Sequence, residues 1–548
     1  MASREDTLVG RVMFDALASC GGAARIGLVL AAAWLVYQLV RAVYNVSPLH
    51  PLYGIPGPKL AAATYWPEFY HDVILFGRYS GQIRVMHDKY GPIVRINPHE
   101  VHCDDPKFAD EIYATSGRKR DKPQHQINGS ALGHSGFGTM DHDLHRIRRI
   151  PLAKFFSRSM ISRLESDIRA LAQKLCDKLL AQAGKPAFDV TMAYSCFTSD
   201  AISRYCFGEP FGFLDQEGWY PNFREPTAAI LKPVFMFRFF PFLKALTIAF
   251  LVSNDSWANA GTHRYDSLVD YLPEDTALLI RTLKMDIPNM IKKTKADMDA
   301  GIQYDRPTIF GSLLESELEV HEKQPQRLGD EATAVVGAGT ETTSWALGVI
   351  TYHLLTKPEL LRTLRAELAG VIDDPLQLPS WTVLEKLPYM GAVVQEGLRL
   401  SFGVAARTAR VPTRENLVYQ GEFNKKPVQY VIPRGYAVGM SAAITHLDDR
   451  LFVNPQEFAP ERWLGDAGRR AELERGMLPF SKGSRACLGM NLALCELNLA
   501  LAAVALRVMP HMELFETTDR DVRYDHDMFV PMAEAGSTGV RVKISSPS

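Results

Sequence analysis

The stretch Phe480-Ser481-Lys482-Gly483-Ser484-Arg485-Ala486-Cys487-Leu488-Gly489 carries more information than any other in the chain. One cysteine sits in a loop, with Gly483 four residues before it, Gly489 two after it and Arg485 two before it. An apolar run, Leu488 to Val508, follows and predicts a helix. Cys487 therefore stands at a helix N-terminus, where backbone N–H groups and the helix dipole favour a thiolate. A thiolate ligates soft or borderline metals. The glycines permit a tight turn and let a flat group approach the backbone. Arg485 offers a fixed positive charge to a carboxylate, and Phe480 is placed to cover the sulfur. Haem, held by one cysteine thiolate and carrying two propionates, fits this set of residues. The purely structural alternative is a buried, inert cysteine, the commoner fate of an isolated thiol.

The chain has 548 residues, a length that by itself suggests several domains. No Ser/Gly-rich linker or block of charge divides it, so the sequence predicts one large catalytic domain, residues 48–548, behind an N-terminal region, residues 1–47. The 47% hydrophobic content supplies a sizeable core, and a formal net charge of -1 argues against nucleic acid as a partner. Seven cysteines are odd in number, scattered, and without a CxxC pair. They read as free thiols in a reducing compartment rather than a disulfide framework.

Ile26 to Val40 is apolar except for Gln38, and Arg25 and Arg41 bracket it. Extended from Gly21 to Val46 the run reaches membrane length, with the arginines able to snorkel. The rival is a cleaved signal peptide. Pro48, Pro51, Pro56 and Pro58 then stiffen the exit of the chain. A second apolar region, Ala229 to Leu251, is rich in phenylalanine but interrupted by Pro233, Arg238, Pro241 and Lys244. It reads equally as an element lying in a membrane surface or as a pair of core helices.

Further along, Pro92 to Cys103 predicts a hairpin about Asn97-Pro98, most of residues 140–400 reads as helix, and strand signals return at Leu417–Tyr419 and Val428–Ile432. The fold class is mainly α with small β-sheets. The segment Asp330 to Leu355 predicts one long helix stopped by Lys357-Pro358. Its centre holds Gly337 and Gly339, each costing about 1 kcal/mol relative to alanine. Val335, Ala338, Gly339, Thr342 and Ala346 follow three- and four-residue steps and are expected on one face, where a flat cofactor can lie against the backbone. Thr342 would stand over that cofactor, with Glu341 beside it in sequence. Close helix–helix packing is the alternative use of such small residues.

The cysteine loop resembles that of the cytochrome P450 family, in which Phe, Gly, Arg, Cys and Gly occupy the positions of Phe480, Gly483, Arg485, Cys487 and Gly489. The stretch Ala338-Gly339-Thr340-Glu341-Thr342-Thr343 resembles the family's oxygen-activation motif. Glu396 and Arg399, three apart on the helix predicted over Tyr389–Leu400, followed by Phe458-Ala459-Pro460-Glu461-Arg462-Trp463, match the family's Glu-x-x-Arg helix and Pro-Glu-Arg segment. The resemblance runs in order over roughly residues 48–540, and its N-terminal arrangement is that of fungal microsomal members. Segments such as His87–Ile96 are similar to those of trichodiene oxygenase-type enzymes of secondary metabolism.

What the resemblance implies is a P450 fold behind one transmembrane helix, haem b ligated by Cys487, and a buried triad of Glu396, Arg399 and Arg462. It also implies proton delivery by Glu341 and Thr342. Propionate partners are Arg485, then His145 with Arg149 (or His142 with Arg146, at the same spacing) and Arg407 (or Arg410). A basic face for docking a reductase is the other use of these cations. The implied reaction is monooxygenation of a hydrophobic small molecule, a terpenoid or polyketide, at the cytosolic face of the endoplasmic reticulum membrane. Electrons would come from NADPH through a separate reductase, and the membrane lipid and the substrate are the remaining partners. The rivals are a haem-thiolate isomerase or dehydratase that needs no external electrons, and a non-enzymatic haem sensor or carrier. Segments expected to touch substrate are Gln124–Met140, Ala229–Leu251, Val404–Arg407 and Met528–Ala533. Of the sequons at Asn45, Asn128 and Asn254, the latter two fall in the proposed cytosolic domain and are expected to be unused, and Asn45 lies at the membrane edge.

Overall fold

A computed structural model describes residues 22–115, 117–130, 132–246, 274–302 and 308–546. The end of the Phe-rich region, the sequon at Asn254 and Cys20 lie outside them. Helices dominate, and the strands form small sheets at the periphery. The predicted hairpin is present as Ile93–Asn97 paired with Glu100–Cys103, and Ala437–Gly439 adds a parallel third strand. Leu417–Phe423 pairs with Lys426–Ile432 across a two-residue turn in which Asn424 and Lys425 both have positive φ, the twist that suits a tight hairpin. Two short sheets close the C-terminal part: Phe188–Asp189 with Arg541–Ile544 and Met512–Leu514, and His526–Met528 with Val530–Met532.

The predicted central helix runs from Pro325 to Thr356, starting with proline where an N–H would be unpaired and ending before Pro358. It packs along Val190–Phe207, a helix buried on nearly every side. The approach is close because hydroxyls and glycines line it. Thr198 Oγ1 donates to Thr340 O at 2.8 Å, and Ser199 and Thr340 hydroxyls lie 3.1 Å apart. A Cβ added to Gly339 would come within 3.0 Å of Ile202 Cγ1, and one on Gly348 within 2.8 Å of Thr191 Oγ1. The helix after the cysteine loop, Met490–Arg507, is apolar enough to cross a membrane but lies largely in the core, with Cys495 fully buried. The described cysteines are all free thiols.

At the N-terminus the helix Gly22–Val46 contains a 21-residue apolar stretch, Ile26–Val46, that touches little else in the protein. Its last turn is tied to the catalytic domain. Asn45 Nδ2 donates to Ala63 O at 2.9 Å, and Arg95, a buried residue of the hairpin's first strand, donates to Asn45 O at 2.9 Å. The Asn45 amide is therefore buried and already used, which leaves no access for a glycan at that sequon. The Phe-rich region forms two short helices, Arg224–Leu231 and Val234–Phe239. Phe235 is buried while Phe242 and Leu246 are exposed, so both readings of this region apply to different residues.

Arg238 and Arg407 meet a cluster of buried carboxylates. Arg407 pairs with Glu68 and with Glu100 at 3.0 Å, while Arg238 reaches Glu68 at 3.2 Å and Asp72 at 3.1 Å. Asp527 joins the cluster through Ser80 and Tyr524. Burial pushes the Asp72 carboxyl up to about 7, against the pull of Arg238 and Arg407 and with the help of Asp527 and Glu68. The folded chain thus holds this proton more tightly than the unfolded chain does. The stability it contributes is complete below about pH 4 and is lost as pH rises toward 7, by at most about 4 kcal/mol. An Asp72→Asn protein, with no carboxyl to ionise, is expected to gain more apparent melting temperature over the unaltered protein at pH 8 than at pH 5. A thermal scan at both pH values checks this, and an equal difference at the two would contradict it.

Candidate active site

The cysteine loop is built around one backbone contact and one obligatory glycine. Cys487 N donates to Phe480 O at 2.7 Å, which closes the loop on its own aromatic residue. Gly483 has φ +74°, and any Cβ there would collide with Tyr113 O. Ser484 N donates to Ala114 O at 3.3 Å, fixing the loop to the same segment. The Cys487 side chain is accessible to solvent although the surrounding protein raises its thiol pKa by burial. A deep residue with open surface lines an internal space. A Gly489 backbone hydrogen bond and the charge of Arg149 act against burial, and they do not overcome it. The helix begins at Met490, so the expected stabilisation of a thiolate by a helix end falls short in the bare protein. A bound metal cation would supply the missing charge.

The middle of the central helix presents Ala338 as an exposed position, with Ala334, Val335 and Thr342 partly accessible beside it. Gly339 is not on that face: it turns toward Ile202 and serves the packing between helices, and Ala346 is buried. The three- and four-step pattern placed these residues within one wide arc, and the neighbouring helix takes one edge of it. Thr342 Oγ1 donates to Ala338 O at 2.9 Å. Glu341 is held by Arg224, from the helix Arg224–Leu231, at 2.7 Å, and the Arg224 guanidinium also lies over the Trp345 ring. Glu341 Oε2 is buried with no hydrogen-bond partner, and burial raises this carboxyl against the pull of Arg224. Arg224, 117 residues away in sequence, carries no local motif that would have revealed it.

Around the loop gather several cations, with Asp121 and Asp141 near Arg485 as partial counter-charges. Arg485 donates to the backbone oxygens of Thr139 at 2.7 Å and Met140 at 2.6 Å, and burial with the nearby Arg410 lowers its pKa to about 10. Burial, with Arg410 and Arg485, also pushes Lys122 well down, and burial likewise lowers Arg410. His145 is buried and driven down to about 2 by burial, Arg485 and Arg149. Among the described residues, none of Lys122, Arg149, Arg410 and Arg485 forms an ion pair. Such a concentration of buried positive charge is costly unless an anion sits there. The donor set therefore fits haem b: a cysteine sulfur facing open space, a small-residue helix face, and cations for two propionates.

Within the two pairs left open by the sequence, Arg146 is exposed whereas Arg149 senses Cys487, and the His145 ring is buried beside it. Arg407 lies in the carboxylate cluster described above, with its guanidinium already matched by Glu68 and Glu100, so it is not available as the expected propionate partner. Arg410, three residues on and so on the other side of an extended segment, faces the cationic group. Lys122 was not singled out in the sequence, where it is one of several basic residues before Pro123.

The Glu396 carboxylate is fully buried and accepts five hydrogen bonds. Two come from Arg399, at 2.9 and 2.7 Å, and one each at 2.9 Å from Arg462 Nε, Trp463 Nε1 and Ala459 N. Burial pushes this carboxyl up, and the arginines outweigh it, leaving it below the usual range. Arg399 also donates to the carbonyls of His446, Pro455 and Glu457. His446 accepts from Leu478 N at 2.8 Å and bonds Arg399 O through its other nitrogen, so the network reaches the residues just before Phe480.

Comparison with known proteins gives the family. The Cytochrome P450 family model matches residues 66–511. Cytochrome P450 monooxygenase ppzE of Metarhizium majus is 40% identical over 482 residues, 86% of this chain and 96% of that protein. Cytochrome P450 monooxygenase oblB of Cochliobolus heterostrophus is 36% identical over 539 residues, 95% and 96%. Tryptophan 6-hydroxylase fscE of Fusarium equiseti is 36% identical over 496 residues, 90% and 92%. The chain belongs to the cytochrome P450 family. It is a haem-thiolate monooxygenase with haem b as its cofactor.

Two substitutions separate the neighbouring arginines. Arg410→Gln is expected to lower haem content while leaving a folded protein, because it removes a cation from the cofactor's slot. Arg407→Gln leaves Glu100 buried without its arginine and Glu68 with Arg238 as its remaining arginine, and is expected to cost up to about 3–5 kcal/mol of stability. Haem-to-protein ratio and thermal unfolding, measured on both variants, check the assignment. The reverse pattern would exchange the two roles.

Proposed function

We propose that this enzyme is anchored in the endoplasmic reticulum membrane by Gly22–Val46 and hydroxylates or epoxidises a hydrophobic small molecule on the cytosolic side, with electrons from NADPH delivered by a separate reductase. The observation that carries the monooxygenase reading at residue level is the pairing of an open, deep Cys487 with a Glu341 carboxyl poised to hold a proton beside Thr342. Haem b, when bound, supplies oxygen activation and the oxidation of a C–H or C=C bond. Cys487 would ligate its iron. Arg485, Arg410, Lys122 and the His145–Arg149 pair would hold its anionic edge, with Phe480 covering the sulfur.

Glu341 is the proton source of the pocket. Arg224 fixes one carboxyl oxygen and leaves the other free to carry a proton, which burial favours. Thr342 gives its own proton to Ala338 O, so its oxygen lone pairs face the open space and can hold a donor such as water in place. Glu396, Arg399 and Arg462 take no part in proton transfer; they fix the segment that carries the cysteine.

The walls support an apolar substrate. Ala334, Val335 and Val404 are partly accessible and Ala338 is exposed. The names of two relatives give only the reaction, and the third names tryptophan, so substrate within this group ranges beyond terpenoids and polyketides. The exposed Trp66, Tyr70, Ile74, Phe242 and Leu246 favour a catalytic domain resting on lipid near the anchor.

The test is a reconstitution in reductase-containing membranes under labelled dioxygen. One labelled oxygen atom in the product, with NADPH consumed, is expected; product formed without NADPH would favour the isomerase or dehydratase. In a Thr342→Ala protein NADPH consumption should persist while product falls, the ratio dropping by about 10²–10⁴ if the hydroxyl positions the proton donor. An unchanged ratio would leave Thr342 as a packing residue.

A further inference from the structure

The turn between Leu132 and Asp141 is folded more tightly than a surface loop needs to be. Ser135 Oγ donates to Leu132 O and accepts from Gly138 N, and Thr139 Oγ1 donates to Ser135 O. Gly136 N donates to Glu331 of the central helix at 2.9 Å, and Arg148 and Arg485 hold Thr139 from the other side. Ser135, Gly136, Gly138 and Thr139 are all buried. Phe137 alone at the apex is open, with 43% of its surface accessible. Lys122 Nζ sits 3.7 Å from the centre of its ring, in the deep cationic group around Arg410 and Arg485. The open ring of Phe137 therefore lies beside this cationic group, on a loop held both to Arg485 and to the central helix.

Phe529 meets it there. The rings are 5.7 Å apart and nearly perpendicular. Phe529 forms the corner of the hairpin His526–Val530 with φ +77°, a region an aromatic residue enters only when its surroundings force it to. Asp527 N donates to Gly77 O at 3.0 Å and Ala406 N to Phe529 O at 3.3 Å, which supply that force. Backbone strain kept at one residue by a rigid frame is characteristic of functional positions.

We propose that Phe137 and Phe529 form a two-ring clamp that recognises a flat, unsaturated ring of the substrate and sets its orientation, which makes them specificity-determining residues. An edge-to-face pair leaves one ring face free for a third ring, and saturated carbon gains less from that geometry. The inference rests on the monooxygenase reading and narrows its substrate to molecules carrying an aromatic or conjugated ring.

The test uses the haem-loaded, full-length protein and two azoles that report binding by a shift of the Soret band: 1-phenylimidazole and 1-cyclohexylimidazole. They share the nitrogen ligand and differ in a flat against a puckered ring. Phe137→Leu and Phe529→Leu are each expected to reduce the preference for the phenyl probe by about 2- to 12-fold, with cyclohexyl binding little changed and the preference kept in the Tyr variants. If a leucine variant fails to load haem, the Met variant of that position is read in its place. An unchanged preference, or an equal loss for both probes, would overturn the clamp and leave the rings as packing. A Soret band that moves with neither azole in the unaltered protein would instead overturn the haem site itself, and the clamp with it.

Discussion

The Glu396 carboxylate is the fixed point of the structure. It is buried among two arginines, an indole N–H and a backbone N–H; Arg399 shares its helix, and Ala459, Arg462 and Trp463 come from one segment far along the chain. A charge buried this deeply is tolerable only while every partner stays. The network therefore dictates where the segment from Val453 to Trp463 lies relative to the helix Pro388–Ser401. His446 carries the constraint on to Leu478, and the next strong contact, Cys487 N to Phe480 O, sets the sulfur. Binding energy for the cofactor is thus prepared by residues that never touch it.

Charge is sorted between two adjoining regions. On one side Glu68, Asp72, Glu100 and Asp527 outnumber Arg238 and Arg407, and protons held by raised carboxyls make up the difference. On the other side, among the described residues, Lys122, Arg149, Arg410 and Arg485 form no close ion pair, and burial lowers the pKa of each. The extended segment Arg407–Arg410 runs along the border and gives one arginine to each. The acidic region also joins the Val234–Phe239 helix to the segment Trp66–Ile74 through Arg238, so this cluster also fixes the Phe-rich region.

Much of this was legible in the sequence because it is local. The cysteine loop has fixed spacings, the central helix has clear stops, and Glu396 and Arg399 stand three apart on one helix, so each could be read without knowing what lies across from it. The hairpin about Asn97 and the strands near 417 and 428 were equally plain. What escaped is contact between distant segments. Arg224 reaches Glu341 from another helix, Lys122 looks like any basic residue before a proline, and Phe137 is one aromatic in a glycine-rich loop. Gly339 shows the same limit from the other side: helical periodicity gives its angle to within a wide arc, and only the approach of Ile202 tells which neighbour it serves. The choice between Arg407 and Arg410 likewise depends on carboxylates more than three hundred residues away in sequence.

The central claim is that one sulfur, placed by this network, ligates the cofactor as a thiolate. The most direct measurement is the absorption spectrum of the reduced carbon-monoxide complex in the unaltered protein and in Cys487→His. A strongly red-shifted Soret band in the first, lost in the second while haem remains bound, is the predicted result. A red-shifted band that survives the loss of Cys487 would contradict the account.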